Sequence, residues 1–480
     1  MSRYITTTLP YVNADPHIGH ALEFVQADFL ARLSRERGEE VFFNTGTDEH
    51  GQKIAEAAEQ AGETPQVYAD RYAARFRELK EAFDLSNDAF IRTTDPAHLA
   101  AAEEMWRRCD AAGDIYKKTY TGRYCTGCEA FKTEKEIVKS HCPLHPKTEL
   151  KEVSEENYFF RFSKYEKALL AYLSNKNVII PDWRRKEAVA FVKAGLEDFS
   201  ISREATRLSW GIPVPGDDSQ VMYVWFDALT NYVSTLGWPD DEKGLFKKFW
   251  EGGQTLQMAG KDQIRFQSLM WQAMLISAGV KKTDTIFYHG FINSGGQKMS
   301  KSIGNVINPF DIIERYGVDA LRYVLLRHVT PADDSDLTLE TIGTHYTANL
   351  TNGLGNLLAR VMTLAEAHLP HPVELSEEDE RLEDAFIEAA ENFRFNDAMD
   401  LVFKQIAKAD AYMTKKKPYM HIGRGDAVER EAARTDIEHL VRALGTIAVH
   451  LAPALPRTAA AIASAVRHNK RPENLFPRLG

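Results

Sequence analysis

The chain has 480 residues, 44% of them hydrophobic and 27% charged, with a formal net charge of -10. That length exceeds one ordinary core and implies two to four globular domains; the acidic balance excludes a sequence-independent nucleic-acid coat, which would need a broad excess of Lys and Arg. No apolar run approaches a bilayer span, Met1 to Pro10 lacks the regions of a signal peptide, and four cysteines are too few for a disulfide framework, so no membrane association and a cytoplasmic home are expected.

Tyr4 to Thr8, β-branched and aromatic, predicts a strand, and Asn13-Ala14-Asp15-Pro16 a turn. From His20 to Arg37 the residues Leu22, Phe24, Val25, Phe29, Leu30 and Leu33 recur at helical spacing until Gly38 stops the helix, and Val41-Phe42-Phe43 predicts a short buried strand. This βαβ texture implies a parallel α/β sheet, yet neither a GxGxxG fingerprint nor a GxxxxGK[ST] loop is present. Residues 116–215 change character, Lys-rich and Cys-bearing, before strand-plus-helix texture returns at 220–232 and 255–278; the stretch has the look of an insertion that splits one α/β domain. After about residue 340 the pattern is helical, with Leu350, Leu354, Leu357, Leu358, Val361 and Leu364 on one helix, others over 385–411 and 437–451, and Pro453 and Pro456 as punctuation. The basic runs Arg184-Arg185-Lys186 and Lys415-Lys416-Lys417 are either solvated faces or local patches for a specific RNA.

Three motifs carry chemistry. Pro16-His17-Ile18-Gly19-His20 stands at a strand-to-helix turn, where free N–H groups and the positive end of the helix dipole suit phosphates; the two imidazoles add donors, and Gly19 admits a flat base. Lys298-Met299-Ser300-Lys301-Ser302, after Gly295-Gly296, places two ammonium groups on a glycine-flanked loop fit to clamp the charge of a transferring phosphoryl group. Cys125-x2-Cys128 followed by Cys142-x2-His145 has the ligand types and spacing of a single tetrahedral zinc knuckle. A redox CxxC pair remains the alternative, and His141 the rival fourth ligand. Cys109, inside a helical segment, is expected to be a plain buried thiol.

The first two motifs, in this order, resemble the HIGH and KMSKS signatures of the class I aminoacyl-tRNA synthetases. Further segments are similar to the methionine group of that family: Thr8-Leu9-Pro10-Tyr11, Thr47-Asp48-Glu49-His50-Gly51, Ser200-Ile201-Ser202-Arg203 with Trp210-Gly211-Ile212-Pro213-Val214-Pro215, Val224-Trp225-Phe226-Asp227-Ala228 and Gly260-Lys261-Asp262. The resemblance implies a Rossmann-type parallel-sheet catalytic domain split by a zinc-bearing insertion and followed by an all-α C-terminal bundle. The expected division is 1–115 and 220–295 for the two catalytic halves, 116–219 for the insertion, 296–345 for the KMSKS loop and stem-contact region, and 346–480 for anticodon binding. It implies activation of L-methionine with ATP and Mg²⁺ and transfer to tRNA(Met), with one structural Zn²⁺ per chain; no further oligonucleotide-binding domain is discernible, so a monomer is expected.

By the same resemblance His17, His20, Lys298 and Lys301 are catalytic. ATP is met by Gly19, Glu23, Gly260, Asp262, Met299 and Ser300, and Asp48 holds the substrate ammonium. A thioether is apolar and polarizable and suits aromatic walls; Leu9, Tyr11, Trp225, Ala228, Leu229, Tyr232 and Phe266 are the candidates, each otherwise an ordinary core residue. The family commonly has His after the Phe of the segment that follows Gly-Lys-Asp; here Gln267 stands there, and Gln263 replaces an aliphatic residue. An amide can still donate to a weak sulfur acceptor. For the anticodon the resemblance implies Asn349 and Arg360 on one helix and Tyr419, after Pro418, where Trp is usual. Two other classes stay open at this point: a small nucleotidyltransferase of the same fold, which the chain length disfavours, and a non-catalytic tRNA-binding paralogue, which the intact motifs disfavour.

Overall fold

The computed structural model describes residues 2–126, 130–132, 137–138, 140–143, 145–299 and 305–479. They form two compact units, one of Met1–Asp15, Glu39–Glu78 and Asn87–Tyr288, the other of Pro16–Gly38, Leu79–Ser86 and His289–Gly480.

The first unit is built on six strands: β1 (Ser2–Thr6), β2 (Glu40–Thr47), β3 (Ala89–Arg92), β4 (Ile179–Ile180), β5 (Gln254–Gly260) and β6 (Thr285–His289). Their spatial order is β3-β2-β1-β5-β6-β4. The pairings of β1 with β2 and β5, of β2 with β3 and of β6 with β4 are all parallel. Parallel strands need crossovers, and helices supply them: Ile18–Glu36 between β1 and β2, Gln52–Ala61 and Pro65–Ala82 between β2 and β3. Inside such a sheet a strand is buried continuously rather than alternately, as in β5, where only Gln254 is exposed and even Thr255 and Gln257 are buried. β1 to β3 step outward one way and β5 and β6 the other, so the strand order reverses between β1 and β5. In open α/β sheets the ligand crevice lies outside the carboxyl ends of the strands at such a point.

Two of the expected elements are displaced at their ends. The first strand stops at Thr6, with the Thr7 amide still reaching the Asn44 carbonyl of β2 (3.3 Å), and β2 runs over eight residues rather than three. The 116–215 stretch is an antiparallel hairpin, Ile115–Cys125 against Lys151–Phe160, in unbroken register from Ile115↔Phe160 to Tyr124↔Lys151, followed by short helices and strands. The unit's core gathers large side chains of many segments, among them Tyr4, Trp106, Phe226, Trp250 and Trp271.

The second unit is mostly helical, as the sequence pattern after residue 340 predicts, with long helices Asn356–His368, Phe395–Lys416, Ala427–Leu451 and Pro456–His468. The helix Ile18–Glu36 belongs to it and is buried on most of its circumference. Such burial takes Asp28 out of water, and a lone carboxylate there would be costly. It is fully met: Arg322 Nη2 lies 2.7 Å and Arg32 Nε 2.8 Å from Asp28 Oδ2, while Ser86 donates to Oδ1 from its amide (2.6 Å) and its hydroxyl (2.7 Å). Arg322, on the helix Val318–Arg327, is itself fully buried and donates to the carbonyl oxygens of Ala454 (2.7 Å), Phe83 (3.1 Å) and Pro453 (3.2 Å). Burial alone would push the Asp28 carboxyl up; the charges of Arg322 and Arg32 and the Ser86 hydrogen bonds outweigh it and hold it below the usual range.

Removing one member of a buried pair strands the other. Arg322→Met is therefore expected to cost about 3–5 kcal/mol of unfolding free energy in denaturant titrations, and Asp28→Leu with Arg322→Met to recover part of that loss. A carboxyl with a lowered folded-state pKa stabilises above its unfolded pKa and loses that contribution as pH falls through the lowered value, so the variant and the parent should converge in acid.

Candidate functional site

In the first unit the residues leaving β1 pair with those leaving β2. Asp48 donates its amide to the Pro10 carbonyl (2.9 Å), and Val12 donates to the Asp48 carbonyl (3.1 Å). One short parallel bridge, Tyr11 to Asp48, thus carries an aromatic wall and a buried carboxylate side by side at the carboxyl ends of the sheet. Leu9 is buried on the same segment, and the Lys53 ammonium lies 5.9 Å from the Tyr11 ring centre. Gly46 allows β2 its close approach to β3: a Cβ there would sit 1.9 Å from the Ile91 carbonyl oxygen.

The neighbours of Asp48 are anchored. Glu49, buried, accepts two hydrogen bonds from Arg92 (2.7 Å each) and one each from the hydroxyls of Thr47 and Thr94 (2.6 Å each). The Glu49 carbonyl accepts from Trp210 Nε1 at 2.5 Å. His50 Nδ1 contacts Asp227 Oδ2 at 2.7 Å, the other Asp227 oxygen meets His98 Nε2 at 2.7 Å, and His98 Nδ1 lies 2.9 Å from the Ser234 hydroxyl. Asp227 is fully buried. Burial by itself would raise its carboxyl; the His50 charge and the hydrogen bonds from His50 and His98 prevail and hold it below the ordinary value.

Asp227 lies on the helical turn Val224–Ala228, which also holds Trp225 and Ala228. The Trp225 ring stacks on Phe266 at 4.0 Å and 12°. Next to Phe266, Gln267 is buried and its side-chain amide donates to the Tyr232 hydroxyl. Leu229 is buried near the start of the same stretch. Gly260 ends β5, and Asp262 is exposed on the short turn after it, accepting from Gln263 Nε2 at 3.0 Å.

The HIGH residues fall in the second unit. The helix starts at Ile18, two residues before the expected start, because the histidines cap it: His17 Nδ1 accepts from the Gly19 amide (3.1 Å) and His20 Nδ1 from the His17 amide (3.2 Å). The two rings stack at 3.8 Å. Since both Nδ1 atoms accept, the proton of each neutral ring sits on Nε2, which leaves an N–H donor on each. Desolvation, with the neighbouring imidazoles of His17 and His289, holds His20 well below its ordinary pKa and hence neutral at pH 7. Glu23, one turn on, pairs with His289 Nε2 at 2.9 Å, while His289 Nδ1 lies 2.8 Å from the Gly290 carbonyl. Both nitrogens of His289 thus face oxygen atoms, one of a side chain and one of the backbone. Met299 is half-buried; for Lys298 only the strand backbone is described, and Ser300 and Lys301 lie outside the described residues.

At the end of the hairpin, Cys125 Sγ and Cys142 Sγ lie 3.9 Å and 4.0 Å from His145 Nδ1, and all three atoms fall within 4.8 Å of one another. A turn closed by the His145 amide on the Cys142 carbonyl (3.0 Å) brings the latter two together. These three could hold a metal ion; Cys128 lies outside the described residues, and His141 is exposed and not part of the group. Cys109 is a buried thiol pushed up to about 12 by desolvation.

Asn349 sits in the helical run Tyr346–Gly355 and donates to the carbonyl of His345 (3.3 Å), and Arg360, on Asn356–His368, pairs with Asp410 at 2.9 Å. Tyr419 is 47% exposed on the turn Pro418–His421. Sequence reasoning passed over Glu49, Arg92, His98, Asp227 and His289. The signal was present for two of them: Glu49 and Asp227 are acidic residues inside segments of buried character, which requires partners.

A Rossmann-ordered sheet, a capped His-x-x-His helix and a Cys/Cys/His group at the end of a hairpin together fit the class I tRNA synthetase architecture. A family model described as tRNA synthetases class I (M) matches residues 3–151 and 145–362. The chain is 38% identical to the methionine–tRNA ligase of Thermotoga maritima over 98% of its own length and 76% of that enzyme's, and 40% identical to that of Mesorhizobium japonicum over 95% and 90%. Its fold is similar to that of Mycobacterium tuberculosis methionyl-tRNA synthetase solved with methionyl-adenylate, with a TM-score of 0.91, 35% identity, and coverage of 99% of this chain and 100% of that one. The chain belongs to the methionine group of the class I tRNA synthetases.

Proposed function

We infer that the chain is a methionine–tRNA ligase: it activates L-methionine with ATP to methionyl-adenylate, releasing pyrophosphate, and transfers the methionyl group to the 3'-terminal adenosine of tRNA(Met). The observation that carries this is the likeness over nearly the whole chain to an enzyme solved with methionyl-adenylate. In this reading Asp48 binds the substrate ammonium and Leu9, Tyr11, Ala228, Leu229 and the stacked Trp225 and Phe266 wall the thioether. With the Gln267 amide turned over, its oxygen would accept from the Tyr232 hydroxyl and its N–H would face the weak sulfur acceptor. Gly19, Glu23, Gly260, Asp262, Met299 and Ser300 serve ATP, whose charge Mg²⁺ offsets. His17 and His20, donating from Nε2, and Lys298 and Lys301 meet the charge that builds on the phosphates in the transition state. The pairing of a catalytic core (1–115, 220–295) with an insertion (116–219), a stem-contact region (296–345) and an anticodon bundle (346–480) follows from the same reading, as do a cytoplasmic location and a monomer.

Exchange of pyrophosphate into ATP, measured with each amino acid in turn, is expected to need methionine, and charging to need tRNA(Met). His20→Ala should lower kcat more than it raises KM for ATP, by about 10²–10³-fold for the loss of one preorganised donor. Normal exchange by this variant would remove His20 from the chemistry.

The donor set of two cysteines and a histidine, with Cys128 adjacent in sequence, suits one structural zinc that holds the tip of the hairpin. Elemental analysis should find about one zinc per chain at sulfur distances of about 2.3 Å. Cys142→Ser should lower both zinc content and tRNA charging while methionine-dependent exchange persists; protein free of metal yet fully active in charging would contradict this role.

The exposure of Tyr419 supports its use as a stacking platform for an anticodon base, with Asn349 and Arg360 on the helical run Tyr346–His368 bonding base edges. Tyr419→Ala should cost about 1–3 kcal/mol in tRNA charging, the worth of a base–aromatic stack. Methionine activation without tRNA should stay unchanged; a fall in both steps would make Tyr419 a structural residue.

A further inference from the structure

We propose that His98 and Asp227 are positioning residues for the amino acid: through His50 they lock the loop that presents Asp48 to the helical turn that presents Trp225 and Ala228. The proposal rests on the methionine-site reading above and deepens it.

The geometry leaves little freedom. An ionised carboxylate only accepts, so the ring nitrogens that face Asp227, His50 Nδ1 and His98 Nε2, both carry protons. On the far side of the ring His98 Nδ1 meets the Ser234 hydroxyl at 2.9 Å, and that hydroxyl also reaches the Asn231 carbonyl at 3.4 Å. The chain of contacts runs from His50 through both oxygens of Asp227 to His98 and Ser234, with all four side chains buried. Four pieces of chain meet in it: the loop after β2, the turn Val224–Ala228, the short helix Asn231–Ser234 and the helix Pro96–Ala111.

Adhesion between these pieces does not depend on the network. Trp106, from the same helix as His98, already packs edge-on against Phe226, the residue before Asp227, at 5.5 Å. Apolar contact of this kind is non-directional and sets neither the rotation of the His50 ring nor the register of the Asp48 loop. The hydrogen bonds from His50 and His98 do, because an N–H···O contact weakens steeply as the donor turns away from the acceptor. The same loop is held at Asp48 by the Tyr11 bridge and at Glu49 by the Arg92 pair. With the network intact, the polar end and the apolar end of the amino-acid site are one rigid piece.

The test is a series of three variants, His98→Leu, His98→Gln and Asp227→Asn, in the full chain. Steady-state exchange gives KM for methionine and for ATP separately, and thermal melting reports folding. His98→Leu removes a hydrogen bond to a charged group, so KM for methionine should rise on the order of tenfold or more. KM for ATP and kcat at saturating methionine should change little. His98→Gln, whose amide can still donate to Asp227 and accept from Ser234, should recover most of the loss. Asp227→Asn keeps the shape and forces one imidazole into its other tautomer, so it should raise KM for methionine in a folded protein. Should His98→Leu fail to fold, the Gln and Asn variants decide. An unchanged KM for methionine in Asp227→Asn, or a parallel rise in KM for both substrates, would overturn the proposal and leave the network a stability element. Failure of the underlying reading is distinguishable, because it would appear in the parent chain as absence of methionine-dependent exchange.

Discussion

A single carboxylate, Asp28, governs the second unit. It lies on the helix that begins with His17 and carries His20 and Glu23, and burial of that helix leaves it no water. Its partner Arg322 reaches at the same time to the backbone between the last two long helices, at Pro453 and Ala454, and to Phe83. Any packing of these segments that failed to bring a guanidinium to Asp28 would leave a charge stranded in apolar surroundings, a cost of several kcal/mol against a total stability of roughly 5–15 kcal/mol. The helix bearing the HIGH residues is therefore placed by electrostatic necessity as well as by its apolar face.

The first unit repeats the device with different chemistry. Asp227 is as buried as Asp28, but imidazoles rather than guanidinium groups answer it. Glu49 is the third case, answered by Arg92. These two act on the residues just after Asp48, His50 and Glu49, and so restrain a carboxylate whose proposed task is to hold an ammonium group. Such restraint is how a site keeps its donors and acceptors in place without reorganising when the ligand arrives.

What could be read from the sequence was what local spacing encodes. Leu22, Phe24, Val25, Phe29 and Leu30 at helical intervals, ended by Gly38 at a positive φ of 76°, delimit the helix Ile18–Glu36 to within two residues. The Cys and His spacings mark Cys125, Cys142 and His145, which gather within 4.8 Å. The motif segments point to the family, and the family to the sheet. Pairings that span long stretches of chain left no local trace: β1 with β5, His98 with Asp227 across 129 residues, and His289 with Glu23 across 266. Each depends on how the chain closes in space, and each joins residues whose individual types have bland local readings. The start of the helix was missed for a related reason, since histidines are uncommon caps and only their mutual hydrogen bonds reveal that role.

The strand order has a consequence for the making of the protein. β1 sits inside the sheet with β2 on one side and β5 on the other, and its register on the β5 side joins Arg3 to Gln254. A ribosome adding about 5–20 residues per second needs roughly 12–50 s to deliver the roughly 250 residues that separate these partners. Throughout that interval a strand with unpaired N–H and C=O groups along one edge, and with buried-type residues such as Tyr4 and Ile5, has already emerged. The nascent chain thus presents an adhesive edge long before its neighbour exists. The hairpin of Ile115–Cys125 and Lys151–Phe160, whose two strands lie close in sequence, can form in the meantime, so that order of synthesis favours folding the hairpin first and closing the central sheet last.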